Sequence, residues 1–572
     1  MFTVIMLSVK NLHTYFYAEE LCTKAVIGVS FTLNRGQTIG LVGESGSGKS
    51  VTALSILRLI DEPPGRIEQG EILLETENGN VDLLAIPENE MYKYRGSNVA
   101  MIFQEPMTSL NPVMKCGDQV IEAILTHQNI SKEEAKDQVL KLFTEVQLSE
   151  PIIAYDKYPH QISGGQKQRV MIAMALSCNP AVLIADEPTT ALDVTVQKTI
   201  LTLLKKLISE RGMSMIFISH DLGVIAQIAD TIAVMYKGKI IEEGSKEQVL
   251  KNPKMPYTIG LLACRPPLHY KTIRLPTVED YLSNGSSKFK EEKISSNATE
   301  LRLRKLQSET PLVEVKNLKT YYSKEKNFLG KTTSYLKAVN DVSFSIYPGE
   351  TLGLVGASGC GKSTLGRTIV RLEKAIGGSI NYEDTDVLNC TKSELRALRK
   401  KMQIIFQDPY SSLNPRMPIG KAIIEPMEVH KLGSSKQDRK AMAISLLEKV
   451  ALSADHFYRY PHQFSGGQRQ RICIARALAV EPSFIICDES VSALDVSVQA
   501  SVINLLKDLQ EELNLTYLFI SHDLAVVQYI SDRVMVMNNG SIVDSGNTND
   551  ILKNSTNKYT RQLLDAIPTL QF

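Results

Sequence analysis

The segment GESGSGKS at residues 43–50 recurs as GASGCGKS at residues 356–363. Both copies have a glycine, four further residues, Gly-Lys and a hydroxyl residue, which is the pattern of a phosphate-binding loop. Glycines let backbone N–H groups turn inward around phosphate oxygens, where a β-carbon would obstruct them. Apolar runs typical of strands precede both loops and helical patterns follow, so each loop opens at a positive helix end. Two copies in this context make a chance match negligible.

The last two residues of each loop carry the polar side chains that the chemistry needs. Lys49 and Lys362 can supply a cation to the β- and γ-phosphates of a nucleotide, and Ser50 and Ser363 can offer a hydroxyl to Mg²⁺. The sequence therefore predicts two nucleotide-binding loops. They comprise Gly43, Glu44, Ser45, Gly46, Ser47, Gly48, Lys49 and Ser50, and Gly356, Ala357, Ser358, Gly359, Cys360, Gly361, Lys362 and Ser363.

Length and composition limit the class of protein. The chain has 572 residues, which is too long for one core, and 43% of them are apolar. The 64 basic and 63 acidic residues nearly cancel, which removes the electrostatic argument for nucleic acid as the main partner. Eight single cysteines without a CxxC pair indicate reduced thiols in a cytosolic protein. Since no apolar run approaches the roughly 18–20 residues of a membrane span, we expect no direct membrane insertion.

Internal repetition determines the architecture. SVKNLHTYF at residues 8–16 recurs as EVKNLKTYY at residues 314–322, and SGGQ at Ser163 recurs at Ser465. The two loops are 356 − 43 = 313 residues apart and the SGGQ segments 465 − 163 = 302 residues apart. A period near 300 residues indicates two duplicated domains rather than a solenoid.

The sequence divides into a first domain at residues 1–270, a linker at 271–310 and a second domain at 311–572. The linker contains NGSSKFKEEKISSNATE, a polar stretch of mixed charge. This composition is typical of a flexible segment, with a short helix at its end.

Each half has the same predicted order of elements. Strands that alternate with helices indicate an α/β fold with a parallel core. A β-rich opening predicts an antiparallel N-terminal subdomain, and the region from Gly117 to about Lys157, or Gly420 to about Tyr458, predicts an inserted helical subdomain.

Two acidic residues end an apolar strand in each half. Asp186 and Asp488 are placed where a carboxylate can reach Mg²⁺ beside the phosphate loop. Glu187 and Glu489 follow directly, and a carboxylate there can orient the water that attacks a γ-phosphate. The matched positions make exposed strand ends an unlikely alternative.

A glutamine and a histidine recur in identical contexts. Gln104 and Gln407 each follow an apolar strand, and their amides can hold Mg²⁺ or a water molecule. His220 and His522 lie in two SHDL segments, where an imidazole can donate a hydrogen bond to the γ-phosphate. Two copies in register favour a site over structural residues.

The SGGQ segments add a second anion-binding surface to each half. Each precedes a helical pattern, and a hydroxyl with bare backbone N–H groups at a helix N-terminus binds anions. Each half thus has two phosphate-binding surfaces but only one phosphate loop. This suggests that the SGGQ surface of one half completes the site of the other half. The residues are Ser163, Gly164, Gly165 and Gln166, and Ser465, Gly466, Gly467 and Gln468.

Together these motifs resemble the ATP-binding subunits of ABC transporters over nearly the whole chain. The resemblance implies ATP hydrolysis with Mg²⁺ and two halves stacked head to tail, so that Lys49 would face Ser465 and Lys362 would face Ser163. It also implies that TALD and SALD, which end at Asp193 and Asp495, link the two sites.

The same resemblance places an aromatic residue against adenine in each half. Phe16 and Tyr322 match that position, and Tyr15 or Tyr321 could substitute for them.

Finer features resemble importers of di- and oligopeptides, nickel and glutathione. EPMTSLNP, DPYSSLNP and the tails MPYTIGLLA and NKYTRQLLDAIP carry this likeness. It implies two transmembrane permease subunits and an extracytoplasmic substrate-binding protein as partners, a peripheral position at the cytoplasmic face of the cell membrane, and coupling surfaces near Met107–Pro112 and Pro409–Pro415. Only Cys264 lies where first-half relatives often carry a cysteine cluster, so we expect no iron–sulfur cluster.

Two other classes remain open at this stage. A soluble ABC ATPase acting on ribosomes or nucleic acid typically has a longer charged linker or coiled-coil insertions. A nucleotide-binding regulator without turnover is disfavoured because Glu187 and Glu489 are both present.

Overall fold

The computed structural model describes residues 4–18, 21–105, 109–190, 192–268, 270–283, 292–326, 332–492 and 494–567. In both halves a six-stranded, mostly parallel sheet forms the core and a four-stranded antiparallel sheet precedes it. This arrangement confirms the predicted α/β fold with two tandem domains.

The described residues of the first half form ten strands. Its core sheet has the order β10-β9-β3-β8-β7-β6, in which only the edge pair of β9 and β10 is antiparallel, and its second sheet has the order β2-β1-β4-β5. The strands are β1 (Ile5–Ala18), β2 (Leu21–Asn34), β3 (Thr38–Val42), β4 (Gly65–Thr76), β5 (Gly79–Asp82), β6 (Val99–Ile102), β7 (Val182–Asp186), β8 (Ser214–Ser219), β9 (Thr231–Tyr236) and β10 (Lys239–Ser245).

The helices of the first half cover the core sheet and form the inserted subdomain. Strands β3 and β7 are buried along their whole length, as expected for parallel strands covered on both faces. The α-helices are Lys49–Ile56, Cys116–His127, Lys132–Glu145, Pro151–Asp156, Gly164–Leu176, Val194–Arg211, Leu222–Ile228, Lys246–Lys251 and Pro256–Ala263; Glu88–Lys93 and Pro159–Gln161 are 3₁₀-helices.

The predicted linker is partly structured. It contains strands β11 (Lys271–Thr272) and β12 (Lys293–Ile294), which pair with each other, and helices Val278–Ser283 and Ser296–Gln307. The second of these helices matches the expected short helix.

The beginning of the linker packs on the second half, whereas its helix Val278–Ser283 contacts helix Pro256–Ala263 of the first half. The buried amide of Asn504 accepts a hydrogen bond from Leu275 N at 2.9 Å and donates one to Leu275 O at 2.8 Å. Tyr529 donates to Thr272 O at 3.0 Å. The backbone polar groups of Thr272 and Leu275 are therefore bonded to buried partners far away in the sequence. Residues 284–291 of the polar stretch lie outside the described residues, so their flexibility stays a prediction. The domain boundaries themselves stay a prediction.

The second half repeats the first. Its core sheet has the order β18-β19-β20-β15-β21-β22 and its antiparallel sheet the order β14-β13-β16-β17. The strands are β13 (Val313–Lys326), β14 (Thr332–Ile346), β15 (Thr351–Val355), β16 (Gly377–Tyr382), β17 (Thr385–Asp386), β18 (Met402–Ile405), β19 (Phe484–Asp488), β20 (Thr516–Ile520), β21 (Arg533–Asn538) and β22 (Ser541–Asn547).

The helices of the second half occupy matching places, and the apolar residues of both inserted subdomains join the core. The α-helices are Lys362–Ile369, Lys392–Lys401, Pro409–Ser412, Ile419–Val429, Lys436–Lys449, Gly466–Leu478, Val496–Leu513, Leu524–Ile530, Thr548–Asn554 and Lys558–Asp565; Ala454–Tyr458 and Pro461–Gln463 are 3₁₀-helices. Within the described residues, no helix combines the length and apolarity that crossing a membrane requires.

Candidate nucleotide sites

Each phosphate loop connects the central strand of its sheet to a helix. The ammonium group of Lys49 donates to Gly43 O at 2.7 Å and to Glu44 O at 2.9 Å. Lys362 makes the same two bonds at 2.9 and 3.0 Å in the second loop. Burial lowers the pKa of Lys49, against the opposing effect of carboxylates such as Glu187. Both lysines therefore lie inside the loop, where they donate to carbonyl groups that an anion could replace; Lys49 also contacts the Ser47 hydroxyl at 3.4 Å, and Lys362 lies 3.7 Å from a carboxylate oxygen of Glu489.

The shape of the loops requires glycine. A β-carbon on Gly43 would lie 2.2 Å from Met235 O, and one on Gly48, which has a φ of 102°, would lie 2.4 Å from Ala25 O. Such distances leave no room for a side chain, and positive φ is unfavourable for other residues. The loop backbone can therefore curl as phosphate binding requires, and the residues fit a nucleotide phosphate chain.

The predicted metal ligands meet beside each loop. Ser50 Oγ donates to Asp186 Oδ1 at 3.0 Å, and Ser363 Oγ donates to Asp488 Oδ1 at 2.7 Å. Burial raises the pKa of Asp186 to about 6, against the hydrogen bond from Ser50. Asp488 Oδ2 is buried, accepts no hydrogen bond from any described residue and lies 3.8 Å from the guanidinium of Arg367. A buried carboxylate with a spare oxygen next to a hydroxyl suits Mg²⁺, which prefers such oxygen ligands.

In the first half, three side chains converge on one oxygen of Glu187. Glu187 Oε2 lies 3.2 Å from Gln104 Nε2, 3.1 Å from His220 Nδ1 and 2.8 Å from the hydroxyl of Thr190. Burial alone would raise the pKa of Glu187, but His220 and Thr190 outweigh it and lower the pKa to about 2. Burial opposes the charged form of His220, yet Glu187 raises its pKa. The two residues thus form an ion pair at the end of β7.

In the second half, Glu489 has two of the same neighbours. Its Oε2 lies 2.9 Å from Gln407 Nε2 and 3.4 Å from His522 Nδ1, and its Oε1 lies 3.7 Å from Lys362 Nζ. Glu187 and Glu489 both have a positive φ, 45° and 49°. That conformation is strained for a residue with a side chain and is frequent at functional sites.

The two predicted roles of the glutamines are not equally supported by this geometry. Each amide nitrogen contacts the glutamate that follows the aspartate of its half. Gln104 and Gln407 are therefore placed to act on the carboxylates of Glu187 and Glu489, while their binding of Mg²⁺ stays a prediction.

The SGGQ segments begin helices, as predicted. Ser163 caps Gly164–Leu176 by accepting from Gln166 N at 3.3 Å, and Gln166 Oε1 accepts from Ser163 N at 3.0 Å. Ser465 and Gln468 form the same reciprocal pair. The helix starts are thus fixed by reciprocal bonds between a serine and a glutamine of the same segment.

Reciprocal contacts join the two halves. Ser45 N donates to Asp495 Oδ2 at 2.9 Å, and Ser358 N donates to Asp193 Oδ2 at 3.3 Å. Ser497 donates a hydrogen bond to the carboxylate of Glu44. The aspartates that end TALD and SALD therefore each reach the phosphate loop of the opposite half.

One cavity lies between the first phosphate loop and the second SGGQ segment. Its volume is about 440 Å³, and its walls include Glu44, Ser465, Gly467 and Gln468. Glu279 of the linker also lines it. Glu44 is its only lining residue from the first phosphate loop among the described residues, so the pairing of Lys49 with Ser465 stays a prediction.

A second cavity of about 400 Å³ lies at the second phosphate loop. It is lined by Asp193, Tyr322, Lys362 and further residues of that site. Asp193 is the only residue of the first half among its described lining residues, and Ser163 and Gly165 do not line it.

The two predicted adenine-stacking residues are placed differently. Tyr322 is partly exposed in the second cavity, beside the phosphate loop. Phe16 lies over Gly65, where a β-carbon would come within 2.8 Å of its ring. The alternatives, Tyr15 and Tyr321, donate or accept hydrogen bonds within their own sheets.

Several polar contacts at these sites were not expected from the motifs. Besides Thr190 and Ser497, Tyr257 accepts a hydrogen bond from Glu44 N and Tyr559 accepts one from Ala357 N. The recurrence of Tyr-Thr at positions 302 residues apart is the signal that could have identified the tyrosines.

Comparison with protein families matches both halves and both tails. A model described as "ABC transporter" matches residues 26–190 and 339–492. A model described as "Oligopeptide/dipeptide transporter, C-terminal region" matches residues 241–286 and 543–572, and thus extends past our predicted boundary at residue 270.

Curated relatives align over nearly the whole chain. Proteins named "glutathione import ATP-binding protein" from Shigella dysenteriae serotype 1 and Escherichia coli K12 are 48% identical over 568 residues, which is 99% of this chain and 90% of theirs. The relative from Salmonella choleraesuis is 48% identical over 98% of this chain and 89% of its own. A solved dimeric bacterial ABC transporter cassette is 29% identical and covers 42% of this chain and 99% of its own, with a TM-score of 0.38.

The ABC transporter model matches more than half of the residues, in two copies, and the relatives match end to end. The chain therefore belongs to the ATP-binding proteins of ABC transporters, which are ATPases, and it carries the C-terminal region of the oligopeptide and dipeptide transporters in each half.

Proposed function

We propose that this chain is the ATP-hydrolysing subunit of an importer for glutathione or a related peptide-like solute. The names of the relatives and the C-terminal region in both halves support this class of cargo. The proposed partners are two separate transmembrane permease subunits and an extracytoplasmic substrate-binding protein. The chain would act at the cytoplasmic face of the cell membrane, as a peripheral protein.

The convergence of side chains on each glutamate is the observation that carries the proposed chemistry. Mg²⁺-ATP supplies an electrophilic γ-phosphate when it is bound. Glu187 and Glu489 each present a carboxylate that can orient a water molecule and accept its proton. Gln104 and His220 hold the first carboxylate in place through Oε2. Because each half has a complete set, we expect both sites to turn over.

The remaining residues of each site bind and orient. The loop lysines are placed to neutralise phosphate charge, and Ser50 with Asp186 and Ser363 with Asp488 would hold Mg²⁺. The SGGQ segment of the opposite half would contribute backbone N–H groups and a serine hydroxyl.

The inserted helical subdomains are the proposed permease surface. Val113 and Ile152 are 79% and 70% exposed in the first half, and Tyr410 is 63% exposed in the second. Apolar side chains of this size in contact with solvent favour a protein partner. In the first predicted coupling segment, Met107 lies outside the described residues.

Uptake of labelled solute tests the proposal. The chain is expressed with its genomic permease and binding-protein partners in a host that lacks glutathione and dipeptide importers. We expect uptake of glutathione or a dipeptide, and loss of uptake in the double variant Glu187→Gln/Glu489→Gln. Absence of uptake together with ATPase stimulation by RNA or ribosomes would overturn the proposal in favour of the soluble class.

Purified protein tests the two sites separately. Loss of a general base typically costs about 10²–10⁴ in rate, so Glu187→Gln and Glu489→Gln should each reduce ATP turnover markedly while ATP still binds. A single variant with unchanged steady-state turnover would show that its site does not hydrolyse ATP.

A further inference from the structure

A tyrosine from the C-terminal region contacts each phosphate loop. Glu44 N donates to the hydroxyl of Tyr257 at 3.0 Å, and Ala357 N donates to the hydroxyl of Tyr559 at 3.0 Å. Both tyrosines lie in the segments that match the oligopeptide transporter C-terminal region. The same bond thus occurs in two copies of the fold whose surrounding sequences differ.

The first hydroxyl is held rigidly. Tyr257 is 2% exposed, and its ring centroid lies 4.3 Å from that of Tyr236. The helix that carries it is anchored at its start, because Glu242 accepts from Lys254 N at 2.7 Å and from Met255 N at 3.2 Å. Burial raises the pKa of Tyr257, so the hydroxyl keeps its proton.

The second hydroxyl is held by different residues at equivalent places. Asn557 caps the helix Lys558–Asp565 and accepts from Tyr559 N at 2.9 Å. Asp544, on strand β22, accepts from the hydroxyl of Thr560 at 2.9 Å. Burial also raises the pKa of Tyr559.

The tyrosine and the loop lysine hold the same residue from two sides. Lys49 donates to Glu44 O, whereas Tyr257 accepts from Glu44 N. The lysine bond is a cation on a neutral carbonyl, which an anionic ligand can replace. The tyrosine bond is formed with a neutral hydroxyl and needs no rearrangement when an anion enters. It can therefore keep the peptide orientation of the loop in both situations.

We propose that Tyr257 and Tyr559 are positioning residues of the two nucleotide sites. Each hydroxyl fixes the first peptide of its phosphate loop, which makes the C-terminal region a structural part of the site. This inference rests on the proposed function only in taking the phosphate loops as the nucleotide sites. The tyrosines act through Glu44 and Ala357 and touch no reacting atom.

Hydrogen exchange of the nucleotide-free full-length protein tests the inference without any turnover. In Tyr257→Phe the amide of Glu44 should exchange faster while the amide of Ala357 is unchanged, because Tyr→Phe removes only the hydroxyl. Tyr559→Phe should give the reverse. Each variant thus contains its own control, and equal protection of both amides in both variants would overturn the inference.

Nucleotide binding gives the second readout. Loss of one hydrogen bond, roughly 1 kcal/mol, corresponds to about five-fold weaker binding. We expect Tyr257→Phe/Tyr559→Phe to bind a fluorescent, non-hydrolysable ATP analogue about five-fold more weakly and to raise KM with little change in kcat.

Tyr529→Phe is the matched control for general destabilisation, because it removes a hydroxyl bonded at 3.0 Å to Thr272 O, away from both loops. Wild-type protein that fails to bind the analogue would refute the proposed sites themselves. Wild-type binding that the tyrosine variants leave unchanged, or change no more than Tyr529→Phe does, would refute the positioning role alone.

Discussion

The guanidinium group of Arg265 occupies the space that a side chain on Gly223 would need. A β-carbon on Gly223 would lie 1.8 Å from Arg265 Nη1. The same nitrogen is 3.7 Å from Asp221 Oδ1, and Asp221 caps the helix that follows His220. In the second half, 302 residues further along, the corresponding pair is Ala525 and Ile567. Glycine therefore lies next to arginine in the first half, whereas the second half has alanine and isoleucine at these two positions.

Exchanging this pair should show its coupling. We expect Gly223→Ala to displace the Arg265 guanidinium and to lower the stability of the first half by less than the roughly 1–3 kcal/mol of overpacking in a rigid core, because the atoms in the way are the end of a flexible side chain. Gly223→Ala/Arg265→Ile, which reproduces the second-half pair, should recover much of the loss because the clash is removed. Thermal melting of the purified variants measures this. Additive losses in the double variant would contradict the coupling.

The ion pair of His220 and Glu187 predicts a pH-dependent stability. The raised pKa of His220 means that its contribution is complete below the ordinary value of 6.5 and is lost as pH rises through the folded-state value. Glu187, with a pKa of about 2, stays ionised over that range. The melting-temperature advantage of wild type over His220→Gln should therefore be larger near pH ~6 than near pH ~9. The exposed His160→Gln serves as control, and an advantage that grows with pH would contradict the ion pair.

Double variants test which surfaces share a site. Because Glu44 and Gly467 line one cavity, Lys49→Ala and Gly467→Asp should damage the same site and together cost little more than the worse of the two. Lys49→Ala with Gly165→Asp should damage both sites and abolish ATP turnover. Turnover assays on variants with unchanged melting temperature decide the matter. If Lys49 and Gly165 instead behaved as one unit, each half would build its site alone.

The docked linker predicts a specific sensitivity to proteolysis. Asn504→Ala removes both hydrogen bonds to Leu275, and leaving buried backbone groups unpaired typically costs about 1–3 kcal/mol. Residues 271–283 should then be cleaved faster in limited proteolysis. Arg274→Ala, which removes only an exposed ion pair at 3.4 Å, is the control and should be cleaved like wild type. Equal rates for all three proteins would contradict a docked linker.

Iron analysis tests the expected absence of a cluster. Cys264 is buried, and burial raises its pKa to about 12, which disfavours the thiolate that ligation needs. Protein purified without oxygen should contain no stoichiometric iron. A broad absorption near ~400 nm with stoichiometric iron would overturn this expectation.

The site residues that could be predicted from the sequence lie within short contiguous motifs. Lys49, Asp186 and Glu187 could be identified because each follows a recognisable strand or loop within a few residues. Tyr257 was not identified, because it lies 213 residues from Glu44 and the repeated Tyr-Thr pair does not show which residue its hydroxyl contacts. A glycine-containing motif shows a local requirement of the backbone, whereas a hydrogen bond between distant residues is not visible in either of the two segments that it joins.

The attachment of the linker at Thr272 and Leu275 was not predicted for a related reason. Its polar composition describes how the segment behaves alone, but Leu275 is buried and pairs with Asn504, 229 residues away. A few apolar residues in a polar stretch are enough to dock it when a complementary surface exists elsewhere in the chain. Composition therefore predicted the helix at the end of the linker but not its attachment.

The linker makes the two cavities differ, because it lines only one of them among the described residues. Thr277 and Glu279 form part of the wall beside Ser465, and no described linker residue lines the cavity at Lys362. A chain that joins two copies of a fold can make the connection only once, so the twofold symmetry of the copies cannot extend to the whole molecule. One cavity therefore has a wall formed by the linker, and the described lining of the other comes from the two domains alone. Two copies of the same motifs in a single chain thus lie in different surroundings.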